Sequence, residues 1–407
     1  MRSNNNVIII GAGASSLLLS ILLSKKNYNV TVFEKNSKAG RKLLATGNGK
    51  CNISNKNLNL TNFHSNNPNF YQYAIEQFSF KKLQNLFKTF GLYIDCFDTT
   101  KAYPISLQAS SVVEILYNEA IQNRVKFIFD SFIEDISYNN NLFIINDKNN
   151  IYKANKLIIA TGSSAMPKLG SCDSGYKLAS KFNHTITQTY PALVQLKTTN
   201  KNIYNLSGIK INSKIKLFIN KELILETLGD ILFTTYGVSG NAILDLSKEA
   251  SYGILNNLKV NIVVDLLPKF DKNQLLQILQ QQIKNIPNKE MFYLLKSILP
   301  NKIIAYILKL SNINQNKKIQ ELNKKELQKI IYNIKNLYIN ITNTKGIETA
   351  EIISGGINTY EIDNKTMQSK LQKGLYFCGE VIDVDGDCGG YNLHWAFASA
   401  YICANSF

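Results

Sequence analysis

A strand, a glycine turn, a helix and a second strand follow one another at the start of this chain. The apolar run Val7–Ile10 leads into Gly11-Ala-Gly13, and a second apolar run, Asn29–Phe33, ends at Glu34. The glycines permit a tight turn and a close approach of backbone amides to a pyrophosphate at a helix start. A carboxylate about 20 residues later accepts hydrogen bonds from ribose hydroxyls and repels a 2′-phosphate. The pattern therefore predicts an adenine-dinucleotide site.

The third glycine of this fingerprint is absent. Ser16 stands in its place, after Ser15, and serine is the smallest polar substitute at a position where helix and strand pack closely. Lys35, which follows Glu34, is also predicted to contact the dinucleotide. The alternative interpretation is a glycine-rich turn in an α/β sheet with no ligand.

Size and cysteine usage favour an intracellular globular protein. At 407 residues and 45% apolar composition, two or three domains with buried cores are expected. The apolar stretch 7–23 is interrupted by glycines, so we expect no signal peptide, and no segment has the roughly 18 unbroken apolar residues of a membrane helix. The 6 cysteines lie scattered, as reduced thiols of a cytoplasmic protein would, and the 3 histidines are far apart, so we expect no metal site.

Positive charge is concentrated in one segment. The chain has 46 Lys and Arg against 29 Asp and Glu, a net charge of +17. Residues 269–345 hold 14 of the lysines and only 4 acids, hence +10 in that segment and +7 in all the rest. Such a segment suits a phosphate backbone, although AT-rich codon usage and a solvated lysine face explain it equally well. The candidate RNA-binding residues are Lys317, Lys318, Lys324, Lys325 and Lys329.

Periodicity divides the chain into three regions. Strands and helices alternate from the start, including a helix over 71–90 and a hairpin over 132–152, and this α/β character resumes after Gly346. Short strands fill the middle, and helical spacing marks the lysine-rich segment. We therefore predict a cofactor domain (1–190 and 346–407), an inserted β domain (191–268 and 336–345) and a small helical domain (269–335).

Three further glycine-bearing segments complete the predicted site. The loop from Gly40 to Asn52 is dense in glycines and cations, Ala160-Thr-Gly162 ends a buried strand, and Gly374–Phe397 carries two glycine turns into a last helix. A carboxylate at a strand end suits ribityl hydroxyls, and a helix start stabilises negative charge on a reduced isoalloxazine. These are features of a flavin site. The residues predicted to bind the flavin dinucleotide are Arg41, Lys42, Thr46, Gly47, Asn48, Ala160, Thr161, Gly162, Gly379, Glu380, Gly389, Gly390, Tyr391 and Asn392.

Through these segments, together with Tyr190–Leu193 and Leu232–Gly240, the chain resembles the BaiN/RdsA family of FAD-dependent oxidoreductases. The resemblance implies FAD in a split Rossmann-like domain of the glutathione-reductase type, with an inserted β domain and a helical domain. Three departures stand out: Ser16, the Asp173-Ser-Gly order, and Thr235, where the family pattern usually has histidine. The last of these puts any proton-transfer role at position 235 in doubt.

The resemblance also implies the chemistry. NADH or NADPH would reduce the flavin transiently, and reduced flavin would pass hydride to the β-carbon of a conjugated C=C bond while an acid protonates the neighbouring carbon. We predict Cys51 as that acid, on the premise of a near-ordinary thiol pKa, with Tyr236 and Tyr391 as lesser candidates. For each of the three, the alternative interpretation is packing against the cofactor, and it is the favoured one for Cys51.

Members of the family are similar to bile-acid-pathway reductases or to enzymes that make dihydrouridine in large-subunit ribosomal RNA. The favoured substrate is therefore a uridine in that RNA, held by the lysine-rich segment. One alternative is a small conjugated metabolite, with the lysines serving only solubility. Another is a nucleic-acid-binding or assembly factor that keeps FAD without turnover.

Overall fold

The computed structural model describes residues 5–407, which form two compact units. The first unit comprises the residues up to Pro191 together with Ala350–Phe407, and the second comprises Ala192–Thr349. The division into three domains remains a prediction. The helices of the first part of the chain are α1 (Ala14–Lys25), α2 (Arg41–Ala45), α3 (Gln72–Gln77), α4 (Phe80–Thr89), α5 (Ala109–Gln122) and α6 (Ser174–Ser180).

The strands of this part lie between those helices. They are β1 (Asn6–Ile10), β2 (Asn29–Phe33), β3 (Ser54–Asn55), β4 (Phe63–His64), β5 (Ile94–Asp95), β6 (Lys101–Pro104), β7 (Lys126–Ile128), β8 (Ile133–Asn139), β9 (Leu142–Asp147), β10 (Ile151–Ala154), β11 (Lys156–Ile159) and β12 (Tyr190–Ala192).

The second unit contains β13 (Leu196–Lys197), α7 (Lys201–Tyr204), β14 (Lys210–Ile219), β15 (Glu222–Phe233), β16 (Gly237–Ser239), α8 (Asn241–Leu255), β17 (Val260–Asp265), α9 (Lys272–Asn285), α10 (Met291–Leu295), α11 (Asn301–Leu310), α12 (Lys324–Lys335), β18 (Leu337–Ile341) and β19 (Asn343–Thr344). The chain then returns to the first unit with β20 (Ile352–Ser354), β21 (Leu375–Phe377), β22 (Asp385–Gly386) and α13 (Tyr391–Asn405).

A five-stranded parallel sheet in the order β21-β11-β1-β2-β7 forms the centre of the first unit. Its inner strands are buried on both faces, which explains their continuous apolar sequence. Because β21 comes from the C-terminal segment and pairs with β11, both ends of the chain complete one sheet. The predicted split Rossmann-type fold is confirmed.

The predicted hairpin is also confirmed, as β8 and β9 pair antiparallel across Asn140 and Asn141. Both turn residues have positive φ, which asparagine tolerates and a tight hairpin turn requires.

The single helix predicted over 71–90 is wrong, because α3 and α4 are separate. Ser79 has extended backbone and its side chain accepts a hydrogen bond from the Lys82 amide, so it caps a new helix.

The second unit is built on a seven-stranded antiparallel sheet in the order β18-β17-β14-β15-β16-β13-β19. Leu275, Ile303 and Ile330 from α9, α11 and α12 lie in the same apolar cluster as Ile215 and Ile262 of the sheet. The lysine-rich helices and the strands therefore share one hydrophobic core.

Candidate functional site: a dinucleotide cradle in the first unit

The turn after β1 brings backbone close to a space that no side chain fills. Gly11 has φ +98°, and a Cβ there would lie 2.6 Å from the Ala160 carbonyl oxygen. A Cβ at Gly13 would meet no described atom within 4 Å, and Gly13 begins α1 without a side-chain cap. The first-turn amides and the positive end of the helix dipole are thus available to an anion such as a pyrophosphate.

Ser15 and Ser16 lie in the first turn of α1, and both are buried. The Ser16 hydroxyl has no hydrogen-bond partner among the described residues. A Cβ at Gly379 would lie 2.7 Å from Ser15 Oγ, so the N-terminal helix and the C-terminal segment meet at this point.

Glu34 lies where the ribose prediction requires it, at the carboxyl end of β2. Its Oε2 accepts a hydrogen bond from the Ala12 amide at 2.9 Å, and its Oε1 accepts from the Asn36 amide at 2.9 Å and from Asn36 Nδ2 at 2.5 Å. A carboxylate has about four acceptor positions, so Oε2 can still accept from a ribose hydroxyl. The Glu34 side chain is therefore oriented before a ligand arrives.

Two predicted cations lie beside Glu34. Arg41 donates to Asn36 Oδ1 at 2.8 Å and to the Lys168 carbonyl at 3.2 Å, which ties α2 to the segment after β11. Lys35 lies beside the Cys172 thiol, and hydrogen bonds from Lys35 and Ser174 outweigh burial and lower the pKa of Cys172. These side chains border the expected adenosine end of the cradle.

Glu380 connects four segments of the first unit. Its Oε2 lies 2.7 Å from Lys42 Nζ, and its Oε1 accepts from Ser163 Oγ at 2.7 Å and from the Ile353 amide at 3.3 Å. Gly162, with φ +72°, lies directly before Ser163 and leaves space beside the carboxylate. Sequence reasoning identified Lys42 and Glu380 separately but missed Ser163, for which the only signal was a hydroxyl directly after a strand-end turn.

Backbone and side-chain hydrogen bonds of Ala160 and Thr161 fix the turn at Gly162. The Ala160 amide donates to the Ile10 carbonyl at 2.9 Å, and the Thr161 hydroxyl donates to the Gly162 carbonyl at 3.3 Å. The ends of β1 and β11 are thus fixed side by side. This is the carboxyl edge of a parallel sheet, where ligands of such folds bind.

The start of α13 meets the loop between α2 and β3. Gly390 has φ +98°, and a Cβ there would lie 2.4 Å from the Ser54 carbonyl oxygen and 2.8 Å from Asn52 Oδ1. Asn52 Oδ1 is buried and has no hydrogen-bond partner among residues 5–407. Gly389 precedes this turn, and α13 begins without a side-chain cap. An unpartnered polar atom beside an uncapped helix start is what a bound flavin ring would complete.

Other residues that were predicted to bind the cofactor make hydrogen bonds within the protein or lie exposed. Asn392 binds the Gly386 backbone twice, accepting at 2.8 Å and donating at 2.7 Å. Thr46 Oγ1 donates to the Leu43 carbonyl at 2.7 Å. Gly47 and Asn48 are exposed and have φ of 56° and 54°, so the loop presents left-handed backbone to solvent. These residues shape the cradle, and direct cofactor contacts by them remain predictions.

The premise that made Cys51 a candidate acid is wrong. The thiol is fully buried, and burial raises its pKa to about 12. Tyr391 is 8% exposed and its hydroxyl donates to the Asn57 carbonyl at 3.2 Å. Tyr236 belongs to the second unit, where Lys345 Nζ lies 4.3 Å from its ring centroid. A catalytic role for any of the three remains a prediction.

The α13 helix is anchored by a buried histidine. His394 Nε2–H donates to the Phe78 carbonyl at 2.7 Å, and Nδ1 accepts from the Ser54 hydroxyl at 2.8 Å. This pattern requires the neutral ring, and burial lowers the pKa of His394 from 6.5 to about 4.

The His394 contacts lead to a pH prediction. Because the folded pKa is about 4 and the ordinary value is 6.5, the stability due to the neutral ring is complete above pH 6.5 and is lost as pH falls toward 4. The loss approaches about 1.4 kcal/mol per pH unit. The free energy of unfolding, measured with denaturant between pH 7 and pH 4, should depend less on pH in His394→Gln than in the wild type. An equal pH dependence in the two proteins would contradict a contribution from His394.

The candidate RNA-binding lysines differ in ion pairing and exposure. Lys317 lies 2.7 Å from Glu326 Oε1 and 2.8 Å from Oε2, so its ammonium is engaged in an ion pair. Four others are exposed: Lys318, which precedes α12, and Lys324, Lys325 and Lys329, which belong to it. Only these four remain suitable for contact with a phosphate backbone.

The described residues contain neither a metal-binding cluster nor a helix suited to cross a membrane. No group of three or more His, Cys, Asp and Glu residues within 5–407 is arranged to hold a metal ion. In the same part of the chain, no helix combines the length and the apolar character needed to cross a bilayer.

Comparison with known proteins extends these observations to the whole chain. Residues 5–406 match the family model described as the HI0933-like protein Rossmann domain. A 3-dehydro-bile acid delta(4,6)-reductase of Clostridium scindens is 32% identical, covering 99% of this chain and 98% of that protein. A ribosomal RNA dihydrouridine synthase of Haemophilus influenzae is 30% identical, covering 100% and 99%, and one of Escherichia coli is 30% identical, covering 98% and 97%. The chain belongs to the HI0933-like Rossmann family and is an FAD-dependent oxidoreductase.

Proposed function

We propose that this protein uses NADH or NADPH to reduce a conjugated C=C bond through bound FAD, and that the favoured substrate is a uridine of large-subunit ribosomal RNA. The observation that carries the reductase proposal is the meeting of Lys42, Ser163 and Glu380 beside the two glycine turns. This arrangement supplies anion-binding amides at one end and a charged, hydrogen-bonded wall at the other.

Bound FAD would be held by residues from both ends of the chain. The pyrophosphate fits the amides after Gly11 and Gly13, the ribose fits Glu34, and the ring fits the turn at Gly390. When bound and reduced, FAD supplies the hydride. The protein's own part is to position the substrate, exclude water and hold the proton that completes the reduction.

The RNA substrate is supported by two independent observations. Two relatives at 30% identity are named ribosomal RNA dihydrouridine synthases. In addition, Lys324 and Lys325 lie exposed in the first turn of α12, where cations oppose the helix dipole, so they do not serve helix stability. The negative phosphates of an RNA backbone would neutralise these cations.

A small conjugated substrate is the second candidate, because the relative at 32% identity is named a bile-acid reductase. Mass spectrometry of ribosomal RNA from cells with and without the gene separates the two. Loss of one dihydrouridine in the deletion supports the RNA substrate. An unchanged content of dihydrouridine would exclude that substrate and favour the small molecule.

The lysine surface can be tested by RNA binding. Replacing Lys318, Lys324, Lys325 and Lys329 by glutamine should weaken binding of a ribosomal RNA fragment and reduce its dependence on salt between ~50 and ~200 mM, because fewer counterions are released. The matched control replaces four exposed lysines of the first unit: Lys81, Lys126, Lys148 and Lys153. Equal affinity losses in the two sets would show that the surface near α12 has no special role.

A further inference from the structure

The α12 helix buries one face and exposes a regular row of side chains on the other. Its buried apolar residues lie in the hydrophobic core of the second unit: Leu327, Ile330, Ile331 and Ile334. Lys325, Lys329 and Tyr332 follow one another at spacings of four and three residues, which places them on one side of the helix. All three are exposed. These three residues, the α12 stripe, are held toward solvent because the opposite face is fixed in the core.

The α12 stripe carries positive charge that no acid of the helix neutralises. Glu326 is the one acid among residues 324–335, and its two oxygens lie 2.7 and 2.8 Å from Lys317 Nζ. Its Oε2 also accepts a hydrogen bond from the Asn323 amide at 3.0 Å. Lys325 and Lys329 repel each other at their spacing of four residues, which costs helix stability. An anionic partner would remove that repulsion.

Tyr332 ends the α12 stripe with an aromatic ring that has no partner ring within the protein. The residue is 60% exposed, and among residues 5–407 no other aromatic ring and no lysine ammonium is stacked on it. Two other exposed tyrosines of the second unit differ in this respect. Lys289 Nζ lies 5.4 Å from the ring centroid of Tyr293, and the Tyr338 hydroxyl donates to Asn261. The Tyr332 ring is therefore available to a flat group from outside.

We propose that the α12 stripe binds an unpaired segment of RNA, with one nucleobase stacked on Tyr332 and neighbouring phosphates beside Lys325 and Lys329. This proposal rests on the proposed RNA substrate. Along the helix axis, the two lysines are about 6 Å apart and Tyr332 lies about 4.5 Å beyond Lys329. A few successive nucleotides can reach all three side chains. In a duplex the faces of the bases are already stacked on one another, so an aromatic ring of this kind selects unpaired RNA.

Binding of a short labelled oligouridylate, and of its duplex with oligoadenylate, tests the proposal on the full-length protein. Tyr332→Leu keeps an apolar side chain but removes the aromatic ring. It should weaken binding of the single strand about 5–150-fold and leave binding of the duplex unchanged. Tyr332→Phe, which keeps a ring, should bind like the wild type. The matched control is Tyr360→Leu in the first unit, where the tyrosine is 61% exposed, and it should have no effect.

Salt dependence separates stacking from charge. Tyr332→Leu should leave the salt dependence of oligouridylate binding unchanged, because no counterion is released at a tyrosine. Lys325→Gln combined with Lys329→Gln should instead reduce the slope of log affinity against log salt by about 0.7 per lysine.

Fluorescence reports the stacking itself. Tyr332→Trp places an indole in the α12 stripe, and oligouridylate should quench its emission when a base stacks on it. The wild-type protein should show no such change, because its one tryptophan, Trp395, is buried.

The possible failures are distinct. If Tyr332→Leu bound oligouridylate as tightly as the wild type, or lost affinity for the duplex equally, stacking on Tyr332 would be wrong. If the wild type bound neither probe, or the double lysine variant kept full affinity and salt dependence, the α12 stripe would not be an RNA site. The proposed function is overturned separately, by unchanged dihydrouridine in the ribosomal RNA of cells without the gene.

Discussion

Gly11→Ala should yield a protein that binds no FAD and is markedly less stable. The added Cβ would lie 2.6 Å from the Ala160 carbonyl oxygen and 2.9 Å from Thr161 Cα, and both are backbone atoms of the neighbouring strand end. Overpacking of this kind costs about 1–3 kcal/mol. The backbone φ of +98° adds a strain of similar size. Thermal unfolding and visible flavin absorbance would measure the two effects.

Gly13→Ala is the matched control for that experiment. No described atom lies within 4 Å of a Cβ at Gly13, and its φ of −84° suits alanine. The fold should therefore keep its stability, while the methyl group occupies the space into which the pyrophosphate is expected to fit. If Gly13→Ala kept full FAD affinity, the pyrophosphate would have to lie elsewhere.

Glu34→Gln should weaken FAD binding by about 10–10²-fold. Both carboxylate oxygens accept N–H bonds, from Ala12 on one side and Asn36 on the other. An amide has only one acceptor oxygen, so its NH₂ group would face an N–H donor, and the acceptor for the ribose would also be lost. An unsatisfied group costs about 1–3 kcal/mol, and about 1.4 kcal/mol is a tenfold change in affinity.

Titration of the cofactor-depleted protein with FAD would give these affinities. Glu134→Gln, at an exposed position of β8, is the control for loss of one negative charge. If Glu34→Gln and Glu134→Gln bound FAD equally well, Glu34 would not contact the ribose.

The sequence predicts well those features that depend on neighbours along the chain. The apolar run ending in Gly11 and the acid at the end of β2 are local patterns, and the parallel sheet confirms them. The Asn140–Asn141 turn is similar, since asparagine tolerates the left-handed backbone that the hairpin requires. The break at Ser79 was missed because the apolar spacing continues across it, and only the capping contact reveals a second helix.

Features that depend on distant residues were not predictable. Lys42 and Glu380 are 338 positions apart, and Ser163 and the Ile353 amide join them only through the fold. The ion pair that engages Lys317 is equally invisible in a count of charges. Burial likewise decides the acidity of Cys51, because the cost of charging an acid depends on all the protein atoms around it.

The central claim is that the two ends of the chain together form an FAD site in the first unit. The most direct test is the visible absorbance of the purified full-length protein, followed by titration with FAD after the bound cofactor is removed. We predict a yellow protein that rebinds one FAD per chain, with binding lost in Gly11→Ala and Gly13→Ala. A colourless protein that takes up no FAD would contradict the account.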